Sequence, residues 1–319
     1  MKRKVIQIAD STQLISLPRK WTIEHGIKKG DELDVEESGN KIIIHTEKIP
    51  ESGSIEKDIS NLDRDSLMFL IRCLYIRGYD EIRLKFDKQT THHYKAGKEV
   101  TVISAIHEEV NRLNGAEIIE QKENYCVIKD LSEGTIKEFD SVLRRIFLLL
   151  IDANNDLIEG VKRGDYALLD TINEKHNTVT KFAAYDLRLL NKFGYTDSKK
   201  TTSLYGILSS VDMIIDIITY CARYIINNKL VANTKIKLSK ESIAILSTIH
   251  NALKEYHEFF YNFNLEKMEK LSANRSETLE KIRRTIKTFS NSEILILTSM
   301  EQIFEIIIHM AVSRVAMEY

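Results

Sequence analysis

Proline is almost missing from this chain of 319 residues: there are two, Pro18 and Pro50, and none from Glu51 to Tyr319. A ring that removes a backbone donor breaks helix interiors, so long uninterrupted helices are expected after residue 50. Cysteine is scarce as well. Cys73, Cys126 and Cys221 are odd in number and far apart, which argues against a disulfide framework and fits a reducing cytosol. Neither sign of charge is in excess. The formal net charge is −1, so the chain as a whole carries no field that draws it to nucleic acid or to an anionic membrane. Long apolar runs are lacking too: the longest candidate, Phe147–Ile151, ends at Asp152, well short of the about 18 residues a membrane span needs. The opening Met-Lys-Arg-Lys leads into Val5–Asp10, too short and too alternating for the apolar part of a signal peptide. A cytoplasmic protein with no transmembrane segment is expected.

What is present is 43% hydrophobic and 29% charged residues, the balance of a globular protein able to bury a core. The length suggests two or three domains. Residues 1–48 read as β-rich. Ile6–Ile8 and Gln13–Leu17 look like strands, and Pro18 opens a short helix that Gly26 closes. Glu32–Val35 and Lys41–Thr46 form a strand pair across the turn Glu37-Ser-Gly-Asn40. Residues 60–131 read as a small α/β module: helix Ser66–Arg77 ending at Gly78, strand Glu81–Phe86, helix Glu99–Leu113, then the hairpin Ala116–Gln121 and Tyr125–Lys129.

From Gly134 onward the pattern is helical and repeats. The first copy, 134–230, holds a helix from Ile136 to Val161, a second from Asp165 to Lys192 and a third over Leu204–Asn228. The second copy, 240–319, holds Glu241–Tyr261, Leu265–Thr288 and Glu293–Ala316. Asp212 and Asp216 lie 89 positions before Glu301 and Glu305, while Leu157–Asp165 aligns with Tyr256–Asn264 at an offset of 99. The difference falls in the loop after Phe193, where a duplication tolerates a change of length. The expected fold class is therefore mainly α with an N-terminal β-rich domain, ending in two antiparallel three-helix bundles.

The repeated acids are the chemically loaded feature. Spaced i, i+4, they share one helix face and repel one another mildly. As hard oxygen donors they suit Mg, Mn or Fe, and His309 stands near the second pair as a nitrogen donor. From the residues alone a solvated stripe that continues through Thr219, Arg223 and Asn227 is the favoured account of the first pair. Asp152 with Asp156 reads as a solvated face, and His250 with His257 as a rim or partly buried histidine pair among aromatics. No Gly-rich phosphate loop, nucleophile elbow or HExxH motif is present, so catalysis is not expected.

Two segments carry a resemblance. Leu14-Ile-Ser-Leu-Pro-Arg-Lys-Trp21, Gly26-Ile-Lys-Lys-Gly-Asp-Glu-Leu33 and Lys41-Ile-Ile-Ile44 resemble the swapped-hairpin AbrB/SpoVT/MazE domain. The duplicated helices with their acid-xxx-acid motifs, together with Leu143-Arg-Arg-Ile146 and Gly78-Tyr-Asp-Glu-Ile82, resemble PhoU, the phosphate-uptake regulator. The combined order is similar to archaeal PhoU-related proteins. The resemblance implies a homodimer or higher homo-oligomer that regulates phosphate uptake through a transporter or signalling protein, and through promoter DNA. It implies Asp212, Asp216, Glu301 and Glu305 as ligands of a divalent or ferric ion (Mg, Mn, Fe or Zn). It points to Lys2, Arg3, Lys4, Arg19 and Lys20 as DNA contacts. Segment 1–48 holds nine Lys/Arg against eight Asp/Glu, so a DNA-binding patch has to be concentrated in space. Pure dimerisation by this domain, and a transcription regulator whose helices only scaffold an oligomer, stand beside that reading.

Overall fold

A computed structural model describes residues 2–8, 12–38, 41–45, 53–132, 134–232 and 235–319. The chain divides into two units, Met1–Gly53 and Ser54–Tyr319. In the first, β1 (Val5–Ile8) pairs antiparallel with β2 (Thr12–Ile15), Ile6 opposite Leu14. Helix α1 (Arg19–Glu24) follows, with Pro18 as its N-cap, one position earlier than expected. Gly26 takes a left-handed φ of 60° just past the helix end, where a Cβ would be strained. A second hairpin joins β3 (Asp34–Ser38) to β4 (Lys41–His45); the predicted turn through Asn40 lies partly outside the described residues. None of the described side chains of this unit is buried.

The second unit begins with a strand that the sequence pattern does not announce. β5 (Ser54–Asp58) runs parallel to β6 (Glu81–Lys85), with α2 (Arg64–Arg77) as the crossover. Only Ile55 of β5 is even partly buried, so this edge strand has no hydrophobic alternation to read. Asp63 caps α2 by accepting from the Asp65 N–H. Gly78, at φ 104°, ends the helix where predicted. Residues 99–101, expected in a helix, instead belong to β8 (Lys98–Thr101), paired with β7 (Thr90–His93). Ladder pairing with Thr90–His93 outweighs the helical spacing there, and α3 (Val102–Val110) starts only after Thr101 caps it. β9 (Ala116–Gln121) and β10 (Tyr125–Asp130) complete a four-stranded sheet in the order β5-β6-β10-β9. Its core is Leu67, Ile71, Leu84, Ile106, Cys126 and their neighbours, joined by Ala184 from the helical region.

Six long helices follow: α4 (Phe139–Arg163), α5 (Tyr166–Phe193), α6 (Thr201–Ala232), α7 (Lys240–Tyr261), α8 (Leu265–Thr285) and α9 (Asn291–Ala316). Helices α4, α5 and α6 pack on one another, as do α7, α8 and α9. The two sets are not separate bundles. One continuous core runs through both, with α6 against α9 and α4 against α7, and Phe147 meeting Tyr256 and Phe260 ring to ring. Gly160 lets α4 and α5 meet closely: a Cβ there would sit 2.7 Å from Leu169 Cδ2. Ser290 and Glu293 form a reciprocal capping box at the start of α9. Burial disfavours the Glu293 charge, but hydrogen bonds from the Ser239 and Ser290 N–H groups and from the Ser239 and Ser242 hydroxyls outweigh it and hold its pKa at about 2.

Two helices bear on the expectation about membrane spans. Among the described residues, Ser198–Leu230 and Asn291–Ala316 are long and apolar enough to cross a membrane by length and composition. Scattered acids hide this from a search for uninterrupted runs. Half of each most apolar window is buried within the fold, which accounts for the composition by core packing.

Arg188 of α5 ties the α/β module to the helices. It is 1% exposed. Its guanidinium reaches Asp130 Oδ2 at 2.7 Å, Asp80 Oδ1 at 2.6 Å and the carbonyls of Tyr75 and Tyr79 at 2.7 and 2.8 Å. Asn191 donates to the Ile76 carbonyl and Lys192 to Asp80. The last turn of α2, whose carbonyls have no helical partner, is thus capped by side chains from α5. Replacing Arg188 by Ala leaves two carboxylates facing a buried hole, and breaking such a pair costs about 3–5 kcal/mol. Denaturant unfolding followed by far-UV circular dichroism should show that loss; a midpoint within error of wild type contradicts it. Tryptophan fluorescence does not serve here, because the single tryptophan, Trp21, lies in the other unit.

Candidate functional site

The repeated acids do not gather into one centre. Thr180 of α5 donates to Asp212 Oδ1 at 2.8 Å, and His176 Nε2 lies 2.8 Å from Asp216 Oδ1. In the second copy Arg275 of α8 reaches Glu305 Oε1, Nε at 2.8 Å. Glu301 is half-buried and makes no ion pair with another described residue. His176 and Arg275 are 99 positions apart, and Asp216 and Glu305 are 89 apart. The two ion pairs therefore occupy equivalent places under the two offsets read from the sequence. Each set of three helices thus carries a basic residue on its middle helix facing the second acid on its third.

That arrangement bears on the metal reading. Among the described residues no group of three or more His, Cys, Asp or Glu side chains is placed to hold a metal ion. Asp216 and Glu305 face cationic or basic partners, and a divalent ion has to displace these before it can bind. The donor set as arranged does not fit a resident metal. Asp152 and Asp156, read as a solvated face, both pair with Lys175. His250 is buried with no partner for Nδ1. Burial first, then Lys254, lowers its pKa; burial, then Arg144, lowers that of His257. Both histidines are packing residues.

The first acidic pair does face something that no motif signals. Asp212 and Asp216 line a cavity of about 730 Å³ between α2, α3, the β7–β8 turn, α5 and α6. Arg64, Arg72, Lys95, Arg112 and Arg223 face it, with His93, His176 and Asn177. Arg72 is locked onto Glu109 by two hydrogen bonds, Nε to Oε1 at 2.7 Å and Nη2 to Oε2 at 3.1 Å. Burial holds the Glu109 carboxyl above its ordinary pKa, offset in part by Arg72. Burial disfavours the Arg72 charge, yet Glu109, Asp212 and Asp216 together raise its pKa, so the acids of α6 steady a cation on α2. Sequence alone does not reveal this site, because its residues come from five separate segments with no shared spacing.

The basic residues expected to meet DNA are all exposed. Lys2, Arg3 and Lys4 enter β1, while Arg19 and Lys20 open α1 just after β2. Because Val5 lies opposite Ile15, both groups leave the same end of the β1–β2 hairpin.

Comparison with known proteins agrees at this unit alone. Residues 6–55 match the family model described as antidote-toxin recognition MazE, bacterial antitoxin. The N-terminal segment is thus a MazE/AbrB-like domain. No curated protein matches the chain, and no solved structure does.

One buried acid remains outside all of these groupings. Asp186 of α5 is fully buried with no partner for either carboxyl oxygen. Burial, and then the charge of Asp140, push its pKa up to about 9. The folded state therefore holds a proton that the unfolded state gives up near its ordinary value of 3.8. Stability is fullest below that value and falls as pH rises toward about 9. Asp186→Asn removes the titration, so its melting temperature should exceed that of wild type by a margin that widens from about pH 5 to about pH 9. Parallel pH profiles for the two proteins contradict the assignment.

Proposed function

We propose that this protein is a DNA-binding regulator that works as a homodimer through its MazE/AbrB-like domain. The observation that carries the reading is that no described side chain of the N-terminal unit is buried. Ile6, Leu14 and Ile23 are 57%, 45% and 68% exposed, and Ile6, Ile8 and Leu14 share one face of the β1–β2 hairpin while Val5 and Ile15 share the other. A two-stranded ribbon is at best marginal alone, and apolar residues on both faces call for burial on both sides. A second copy of the same unit supplies it, in keeping with the hairpin-exchanging fold that the resemblance implies. Dimerisation would also double the basic residues at the hairpin end, offsetting the near-balanced charge of the segment. The protein acts in the cytoplasm on this reading.

A second reading, a phosphate-uptake regulator of the PhoU type that acts on a transporter or signalling protein, is favoured by one observation. The His176–Asp216 and Arg275–Glu305 pairs recur at duplicated positions, as expected of two descendants of one three-helix ancestor. Affinity capture from cells in phosphate excess and phosphate limitation tests it: absence of any phosphate-transport component from both eluates counts against it.

The dimer and DNA arms have separate measurements. In sedimentation equilibrium the full chain should run as a dimer, and the double variant Ile6→Lys, Leu14→Lys as a monomer; a wild-type monomer overturns the proposal. In fluorescence anisotropy with promoter DNA, replacing Arg3, Lys4, Arg19 and Lys20 by Ala should weaken binding. The plot of log affinity against log salt should flatten by about 0.9 for each phosphate no longer neutralised. No salt-sensitive binding by wild type at low ionic strength sinks the DNA reading.

A further inference from the structure

One end of the six-helix region gathers positive charge that the near-neutral chain does not announce. It is the end where α4, α6 and α8 finish and α5, α7 and α9 begin, and several contacts hold it together. Tyr224 of α6 shares a hydrogen bond of 3.2 Å with Ser292 at the start of α9. Glu293 accepts from the Ser239 N–H ahead of α7 at 2.7 Å. Lys229 Nζ lies 3.9 Å from the centre of the Tyr166 ring at the start of α5. Lys162 and Arg163 line one hollow with Lys235 and Lys237, so the α4–α5 turn and the link before α7 lie side by side. The described residues of 159–165, 229–241 and 280–293 hold ten Lys/Arg and five Asp/Glu. Asp170 and Glu277, one turn deeper, do not reverse the excess.

Four of the five acids are already engaged. Glu159 pairs with Lys162 and Arg163, and Glu280 with Arg284. Asp165 caps α5, and Glu293 is taken up by Ser239, Ser242 and Ser290. That leaves Glu241. Against it stand Lys235, Lys237, Lys240, Lys281, Arg283 and Lys287, all exposed, whose side chains make no ion pair with a described residue.

Two features say what such an end fits. Five of the six free cations are lysines, mobile point charges that need no fixed acceptor, whereas bidentate reading of phosphate or carboxylate falls to arginine. Spread over two connections, they suit a broad anionic plane better than one small ion. Apolar side chains also stand among them. Leu230, beside Lys229, is 72% exposed, and Ile286, beside Lys287, is 38% exposed. A sugar-phosphate backbone offers aliphatic groups nothing, but the boundary between lipid headgroups and acyl chains does. Clustered lysines near a negatively charged leaflet each add to the attraction.

We propose that this end of the helical region docks on a bilayer surface rich in anionic lipid, with the lysines at the headgroups and Leu230 and Ile286 entering the interface. The contact is peripheral, and no helix crosses the bilayer in it. It goes beyond both functional readings above, since none of its residues lies in the first 53.

Vesicle flotation of the full-length protein tests the proposal, with phosphatidylcholine vesicles set against an equal mixture of phosphatidylcholine and phosphatidylglycerol. At low salt, partition onto the mixed vesicles should be at least about tenfold stronger, and it should fall as salt is raised. The triple variant Lys235→Gln, Lys237→Gln, Lys240→Gln should lower it by about tenfold or more. Leu230→Ser should lower it by about threefold or more. All four side chains are exposed, and unchanged melting temperatures confirm that the variants are folded. No partition onto mixed vesicles overturns the proposal, as does equal partition onto neutral ones or partition untouched by either variant. Duplex DNA binding lost in the triple variant while vesicle binding stays also overturns it and assigns this end to nucleic acid. The Arg3, Lys4, Arg19, Lys20 variant should keep wild-type partition, so failure here and failure of DNA binding by the first unit are told apart.

Discussion

A single buried guanidinium organises the second unit. Burying a charge is expensive unless every donor is matched, and Arg188 meets that condition with two carboxylates and two carbonyls. Asp80 follows α2 and precedes β6, Asp130 ends β10, and the carbonyls belong to the end of α2 and the turn after it. One side chain therefore fixes the sheet, its crossover helix and α5 together. The cavity lies along the same α2–α5 contact, with α2 supplying Phe69 and α5 supplying Asn177.

The helical architecture was legible because absence is informative. A proline-free stretch with sustained apolar spacing foretells the six long helices, with ends shifted by a few residues. The offsets of 89 and 99 go further than a repeat marker, since applied to α5 and α6 they pair His176–Asp216 with Arg275–Glu305. What escapes is tertiary. β5 shows no alternation because it is an exposed edge, and β8 hides under a helical pattern that only its pairing with β7 overrides. Arg188 stands in a helix otherwise marked by its apolar stripe, and nothing local flags it as buried. The repeated acids stand out by their mutual spacing, whereas the structure gives Asp212, Asp216 and Glu305 each a partner from the neighbouring helix. The cavity draws its lining from five segments, a pattern no spacing rule detects.

The two units solve the burial problem in different ways. Residues 54–319 enclose two apolar clusters within one chain. The MazE/AbrB-like unit has strands, a short helix and many apolar side chains, yet no buried described side chain. Its sequence specifies secondary structure without enclosing an apolar core among the described residues. That difference separates a unit that buries its own core from one whose exposed apolar strands, on the proposed reading, a second chain would cover.

The central claim, that the N-terminal core is shared between two chains, is tested most directly by isotope-filtered NMR on a mixture of methyl-labelled and unlabelled full-length protein. Intermolecular contacts are expected at the methyls of Ile6, Ile8, Leu14 and Ile15, and none at Ile146 or Ile249, which are buried within one chain. Methyls of β1 and β2 that show no intermolecular contact would contradict the account.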